Sequence, residues 1–172
     1  MADFSNYMSP GRKGYLIGIG GVSMSSLAEV LLGMGINVCG SDSNRSGNVR
    51  SLEAKGIHIE IGHRAENIPE DIDFVVRTAA VRDENPEIRR ARELNIPVFE
   101  RTEAWGAISR DYSNAVCISG THGKTTTTSM CTHILMAADR DPTVMIGGTT
   151  VKEALQPVLE YKHSVLFLFH LL

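Results

Sequence analysis

Lys124 and Thr125 are the residues of this chain best placed by sequence to act on a phosphate. They stand in the run Gly120-Thr121-His122-Gly123-Lys124-Thr125-Thr126. Glycines let backbone N–H groups turn inward onto phosphate oxygens. An ammonium beside them can reach the β- and γ-phosphates of a triphosphate, and the Thr125 hydroxyl can hold Mg²⁺. The common form of this loop has a glycine five positions before Gly123, where Ile118 stands, so this is a shortened variant. His122 lies inside the loop, where it could touch phosphate or substrate, or only cap the turn. The competing reading of the whole run is a glycine-rich turn that binds nothing.

A second candidate site opens the chain. Gly18-Ile19-Gly20-Gly21-Val22-Ser23-Met24-Ser25 follows a short apolar run. The dinucleotide fingerprint G-x-G-x-x-G would need glycine at 23, where Ser23 stands. Asp42 closes the next apolar run, after Ser41, where an acid could grip a ribose hydroxyl. Three readings stay open for this loop: a nicotinamide or flavin dinucleotide, a UDP moiety, or a tight turn with no ligand. Thr78-Ala79-Ala80 ends another apolar run, and such small residues let a ligand approach closely. His63 could be a loop residue or a phosphate contact; Arg64 reads as solvated.

The elements that must position these residues alternate along the chain. Strands are expected at Tyr15–Ile19, Ile36–Gly40, Ile57–Ile61, Asp73–Arg77, Ile96–Phe99, Ala115–Ile118 and Thr143–Ile146. Helices are expected at Ser23–Met34, Asn48–Lys55, Asn85 to about Leu94, Thr102–Ser109 and Thr126–Ala138. Leu27, Val30, Leu31 and Met34 share one helical face. Asn85-Pro86-Glu87 is a helix start, with Asn as cap, Pro at N1 and an acid in the first turn. Ala115–Ile118 reads as a buried strand, and the helix after it adds positive potential where an anion would sit. The pattern is α/β. We expect a Rossmann-like parallel-sheet domain over 1–113, then the first part of a P-loop-type ATP-binding α/β domain over 114–172. The stretch 110–114 reads as a linker and Met1–Gly14 as a loose leader.

Composition narrows the classes. The 172 residues are 42% hydrophobic and 22% charged, as in an ordinary soluble globular protein. A net charge of −3 leaves no basic footprint, so nucleic acid is not an expected partner. No apolar stretch is long enough to span a bilayer and no signal peptide is visible, so no membrane association and a cytoplasmic location are expected. The three cysteines, Cys39, Cys117 and Cys131, show no metal-type spacing. Cys39 and Cys117 fall in expected strands and read as core thiols.

Four stretches, GIGGVSMSSLAEVLLGMG, GSD, TAAVRDENPE and GTHGKTTTT, occur in this order. Together they resemble the Mur ligases of peptidoglycan synthesis, over about Tyr15 to Gly148. The resemblance implies an ATP-dependent amide ligase that activates a carboxylate as an acyl phosphate, with UDP-N-acetylmuramate and L-alanine as substrates and ATP and Mg²⁺ as cofactors. It places the UDP substrate on Gly18, Gly20, Gly21, Val22, Ser23, Met24, Ser25, Ser41, Asp42, Thr78, Ala79 and Ala80. It places ATP on Gly120, Thr121, His122, Gly123, Lys124, Thr125 and Thr126, with Lys124 and His122 as catalytic candidates and Thr125 as the Mg²⁺ ligand. Two residues depart from the family pattern: Ser23 replaces a glycine, and Arg77 stands where a small polar residue or Tyr is commoner. After Gly148 the likeness stops. Thr150–Tyr161 reads as an amphipathic helix broken at Pro157, and Val165–Leu172 is an almost wholly apolar end. These features lead us to expect a fragment that binds the UDP substrate, holds ATP weakly, does not ligate alone, and can self-associate through its last part. Two other classes compete: a nucleotide-binding module without catalysis, and an NAD-type oxidoreductase. The triphosphate-type loop argues against the oxidoreductase, whose chemistry does not need one.

Overall fold

The computed structural model describes residues 2–112, 114–140, 142–144 and 165–169. The chain divides into two compact units, 1–107 and 108–172.

The first unit is built on a five-stranded, wholly parallel sheet. Its strands are β1 (Lys13–Ile17), β2 (Asn37–Asp42), β3 (His58–Ile61), β4 (Phe74–Arg77) and β5 (Val98–Glu100), in the order β3-β2-β1-β4-β5. Helices α1 (Val22–Gly33), α2 (Gly47–Ala54) and α3 (Pro86–Glu93) connect the strands, and α4 (Arg101–Arg110) runs on from β5 across the division between the units. Parallel strands need such crossovers, and a parallel sheet is covered on both faces, so its central strands read as near-continuous apolar runs. Tyr15, Leu16, Ile17, Phe74, Val75 and Val76 are accordingly all buried. Tyr15, Ile17 and Val75 join Ile88 and Ala91 of α3, with Ile68, Ile72 and Ile96, in one cluster.

Helix starts follow the sequence. Asn85 caps α3 through its side chain, which accepts from Glu87 N at 2.8 Å, and Pro86 is the first helical residue. Ser46 caps α2 in the same way, accepting from Val49 N at 3.2 Å. The start of α1 is different: its cap is Gly21, and no side chain caps it.

The expected loose leader is corrected. Phe4–Tyr7 forms a single 3-10 turn capped by Asp3. Phe4 is 2% exposed and sits edge-on to Phe74 and Phe99, with ring centroids 5.1 and 5.2 Å away. Tyr7 reaches the same two rings. A lone aromatic in a polar stretch has no period to announce it, and the rings that receive it lie far along the chain.

The second unit contains β6 (Asn114–Ile118), α5 (Lys124–Ala137), β7 (Thr143–Val144) and β8 (Val165–Phe169). Its sheet is parallel, in the order β6-β8-β7, so β8 lies between the other two. The expectation of a buried strand at 115–118 is corrected. The strand forms, but Asn114–Cys117 are exposed and only Ile118 is partly covered. Among the described residues β6 is an edge strand, paired only with β8. Cys117 is therefore exposed rather than a core thiol, while Cys39 is half-buried, and burial pushes its thiol up to about 11. The expected helix at 150–161, the end of the expected strand at 145–146 and Gly147–Gly148 lie outside the described residues.

Candidate functional site

The strand order of the first unit reverses between β1 and β4, because β1 pairs with β2 on one side and β4 on the other. Open α/β sheets bind ligands at such a switch point, outside the carboxyl ends of the strands. Gly18–Gly21 leaves β1 at that edge, and Thr78–Ala80 leaves β4 there.

The two loops touch. Gly18 has φ +79°, and a Cβ placed on it would lie 2.7 Å from Thr78 Cγ2. Only glycine fits both the conformation and the contact. Thr78 Oγ1 accepts from Ala80 N at 3.0 Å, and Val81 N donates to Thr78 O at 3.0 Å, closing a tight turn. Arg77 pins that turn from beneath, donating to Asp83 Oδ1 at 2.6 Å and Val81 O at 3.2 Å. Gly20 is forced for another reason: its Cβ would lie 2.7 Å from Val49 Cγ2 and 2.9 Å from Asp42 Oδ2.

Asp42 shapes this loop from inside the protein. Its Oδ2 accepts from Gly20 N at 2.8 Å and its Oδ1 from Asn44 N at 3.1 Å. The carboxylate that a dinucleotide reading would aim at a ribose is thus already holding the glycine loop. Asn48 adds a second tie, donating to Gly20 O at 2.9 Å.

The sequence candidates sort by burial. Gly21, Val22, Ala79 and Ala80 are exposed at the edge, and Gly18, Gly20, Ser23, Ser25, Asp42 and Thr78 are partly so. Ser25 Oγ donates to Val22 O at 2.9 Å, which leaves its contribution local. Met24 is 2% exposed and belongs to the core, and Ser41 is fully buried, its hydroxyl donating to Glu87 Oε2 at 2.7 Å. These two support the loop from beneath and do not line its surface.

Sequence reasoning missed Glu87 as anything but a helix-start acid. It is completely buried. Its Oε1 accepts from Tyr15 Oη at 2.9 Å and Asn67 Nδ2 at 2.7 Å, and its Oε2 accepts from Ser41 Oγ and lies 2.8 Å from His63 Nδ1. Burial, followed by the neighbouring carboxylate, holds the Tyr15 hydroxyl well above its ordinary range. One signal for Glu87 was present in the sequence. It occupies, with Ile88 and Ala91, the apolar stripe of α3, where a free acid would be costly.

The phosphate-type loop lies in the second unit. Gly120 has φ +152° and Gly123 has φ +77°, and a Cβ on Gly123 would meet nothing within 4 Å. Gly123 caps α5 with no side-chain bond, and Lys124 is the first helical residue. Lys124 Nζ donates to Gly120 O at 2.5 Å and Thr121 O at 3.3 Å, folded back over its own loop. Thr121, His122, Thr125 and Thr126 are exposed, whereas Thr128 and Thr132 are buried and bond back to Lys124 O and Thr128 O along the helix. The open backbone, the ammonium and the exposed hydroxyls form a donor set that suits phosphate and a hard cation.

A family model described as Mur ligase family, catalytic domain, matches residues 14–113, more than half of the chain. The chain belongs to the Mur ligase family. This Mur ligase chain is 50% identical over 137 residues to a UDP-N-acetylmuramate–L-alanine ligase of Clostridium novyi, covering 80% of this chain and 30% of that protein. It is 52% identical over 134 residues to the ligase of the same name from Acetivibrio thermocellus, covering 78% and 28%. The crystal structure of a UDP-N-acetylmuramate-alanine ligase from Thermotoga maritima matches it with a TM-score of 0.80 and 35% identity, over 91% of this chain and 37% of that one. The chain therefore spans about 30% of the length of the curated relatives it matches. Among the described residues, no helix is long and apolar enough to cross a membrane.

Proposed function

We propose that the first unit of this Mur ligase seats UDP-N-acetylmuramate at the β1/β4 switch point, as part of an ATP-dependent ligase that joins L-alanine to it. The single observation that carries the reading is the contact between the Gly18 and Thr78 loops at that edge, in a chain 50% identical over 137 residues to a ligase of that name. Gly21 opens α1 without a side-chain cap, so first-turn N–H groups face the edge where a diphosphate would lie. Asp42 and Asn48 fix the loop around Gly20 in advance, which lowers the ordering cost of binding.

The second unit supports the ATP half of the reading. Gly120–Thr126 would hold the triphosphate, Lys124 would release its loop carbonyls to reach phosphate oxygens, and Thr125 would hold Mg²⁺. When bound, ATP·Mg²⁺ supplies the phosphoryl group that converts a carboxylate, a poor electrophile, into an acyl phosphate that an amine can attack. The task of Lys124 is electrostatic, offsetting charge that builds up during transfer. His122 is exposed within the same loop and is proposed to contact phosphate or substrate. A cytoplasmic site of action belongs to the same proposal.

The test is a calorimetric titration of the chain with UDP-N-acetylmuramate and, separately, with NAD. We expect the uridine compound to bind and NAD to give no heat. Binding of NAD alone would replace the ligase reading with the dinucleotide one.

A further inference from the structure

The buried Glu87 cluster lies beneath the same sheet edge. A fully buried carboxyl group demands partners, and Glu87 has four within hydrogen-bond distance. Three of them, Tyr15, Ser41 and Asn67, tie down β1, β2 and the turn after β3. The fourth is different in kind. His63 follows β3 at the carboxyl edge, and its side chain is 25% exposed, whereas Glu87 is sealed. Its Nδ1 is committed inward, 2.8 Å from Glu87 Oε2 and 3.2 Å from Ser41 Oγ. An imidazole held by one nitrogen against a buried acceptor keeps its proton there and offers the other nitrogen outward. The neighbourhood is that of the glycine loop. Gly62 N donates to Asp42 O at 2.8 Å, and Asp42 holds Gly20.

We propose that Glu87 is a positioning residue that locks the His63 ring so that its Nε2 contacts a nucleoside diphosphate seated on the Gly18–Ser25 loop. This deepens the reading above and rests on it. His63 is the binding group; Glu87 acts through it and never touches the ligand. The cluster gives the loop, which reads phosphate through backbone groups alone, a side chain able to hydrogen-bond a ribose or base.

The experiment uses UDP as the probe, on the chain and on His63→Ala, Glu87→Gln and the double variant, each checked for folding by circular dichroism. Nitrogen-15 spectra of the histidine ring report which ring nitrogen carries the proton. In the unchanged chain His63 should carry it on Nδ1, and in Glu87→Gln that fixed pattern should be lost. His63→Ala should weaken UDP binding about tenfold, the worth of one hydrogen bond to a polar ligand. Glu87→Gln should weaken it similarly, and the double variant no further, since both changes remove one contact. His63→Ala changes only a partly exposed ring, so it tests the contact even where Glu87→Gln unfolds. UDP binding that survives His63→Ala within about twofold would overturn this inference and leave the switch-point reading standing. No UDP binding by the unchanged chain would overturn the reading and this inference with it.

Discussion

Gly18 shows how much one residue decides here. Its positive φ is costly for an L side chain, and the space where a Cβ would go is filled by the Thr78 methyl. Gly18→Ala should cost about 1–2 kcal/mol from the backbone alone, with more from pushing Thr78 aside. Urea unfolding should show the loss, and uridine-nucleotide binding should fall with it, because the displaced turn carries Ala79 and Ala80. Gly40 makes a matching case within the sheet. A Cβ there would lie 2.2 Å from the Leu16 carbonyl oxygen, which is backbone and cannot swing away. Gly40→Ala should therefore destabilise the first unit by at least about 1–3 kcal/mol, the range for overpacked cores, or prevent it from folding. A variant as stable as the parent would mean that β1 and β2 are not so close.

At the scale of elements, period and punctuation in the sequence found almost every helix and strand. Leu27, Val30 and Leu31 recur at helical spacing and are all buried in α1. Asn85-Pro86 fixed the start of α3 because cap chemistry is local. Long-range effects escaped. Phe4 has its meaning only against Phe74 and Phe99, and Glu87 only against Tyr15, Ser41, His63 and Asn67. The glycine loop was legible as a tight turn between a strand and a helix, while the service of Asp42 to Gly20 was not, since pairing across the sheet edge is invisible in one strand's pattern. Phe4→Ala should cost about 3–5 kcal/mol, the usual loss for a buried ring, where truncation of a loose leader would cost nothing. Thermal unfolding of that variant beside a deletion of the first residues separates the two. The same unit carries three carboxylates held below their ordinary range: Asp71 by Lys13, Asp73 by Lys13 N and then Arg12, and Asp83 by Arg92 and Arg77. A carboxylate depressed by folding adds stability above its unfolded pKa of about 4 and loses it as acid protonates the folded state. The urea midpoint should therefore fall as pH is lowered from about 6 to about 3, and Asp73→Asn should flatten that fall. Equal slopes in both proteins would rule out Asp73 as a contributor.

For the whole molecule, the family sets what the chain can be asked to do. It matches about 30% of the length of its relatives, so the ligation they are named for stands as a proposal. Within this chain the phosphate-type loop should bind ATP·Mg²⁺ weakly, and Lys124→Ala should remove what binding there is. Tight, Mg²⁺-dependent binding would show that the second unit holds more of an ATP site than its loop. A hollow of about 570 Å³ beside β5 invites another answer for the ligand of the first unit. It is lined by Arg77, Arg92, Glu100 and Glu103 among others, and none of the glycine-loop residues borders it. Its arginines are already paired, Arg77 with Asp83 and Glu100, Arg92 with Asp83.

The measurement that bears most directly on the central claim is therefore backbone amide mapping of the labelled chain during titration with UDP-N-acetylmuramate. The switch-point account predicts that the amides of Gly18–Ser25 and Thr78–Ala80 shift together with one affinity, while those of Val98–Glu100 beside the hollow stay still. Shifts confined to the β5 side, or saturation by NAD with none by the uridine compound, would contradict it.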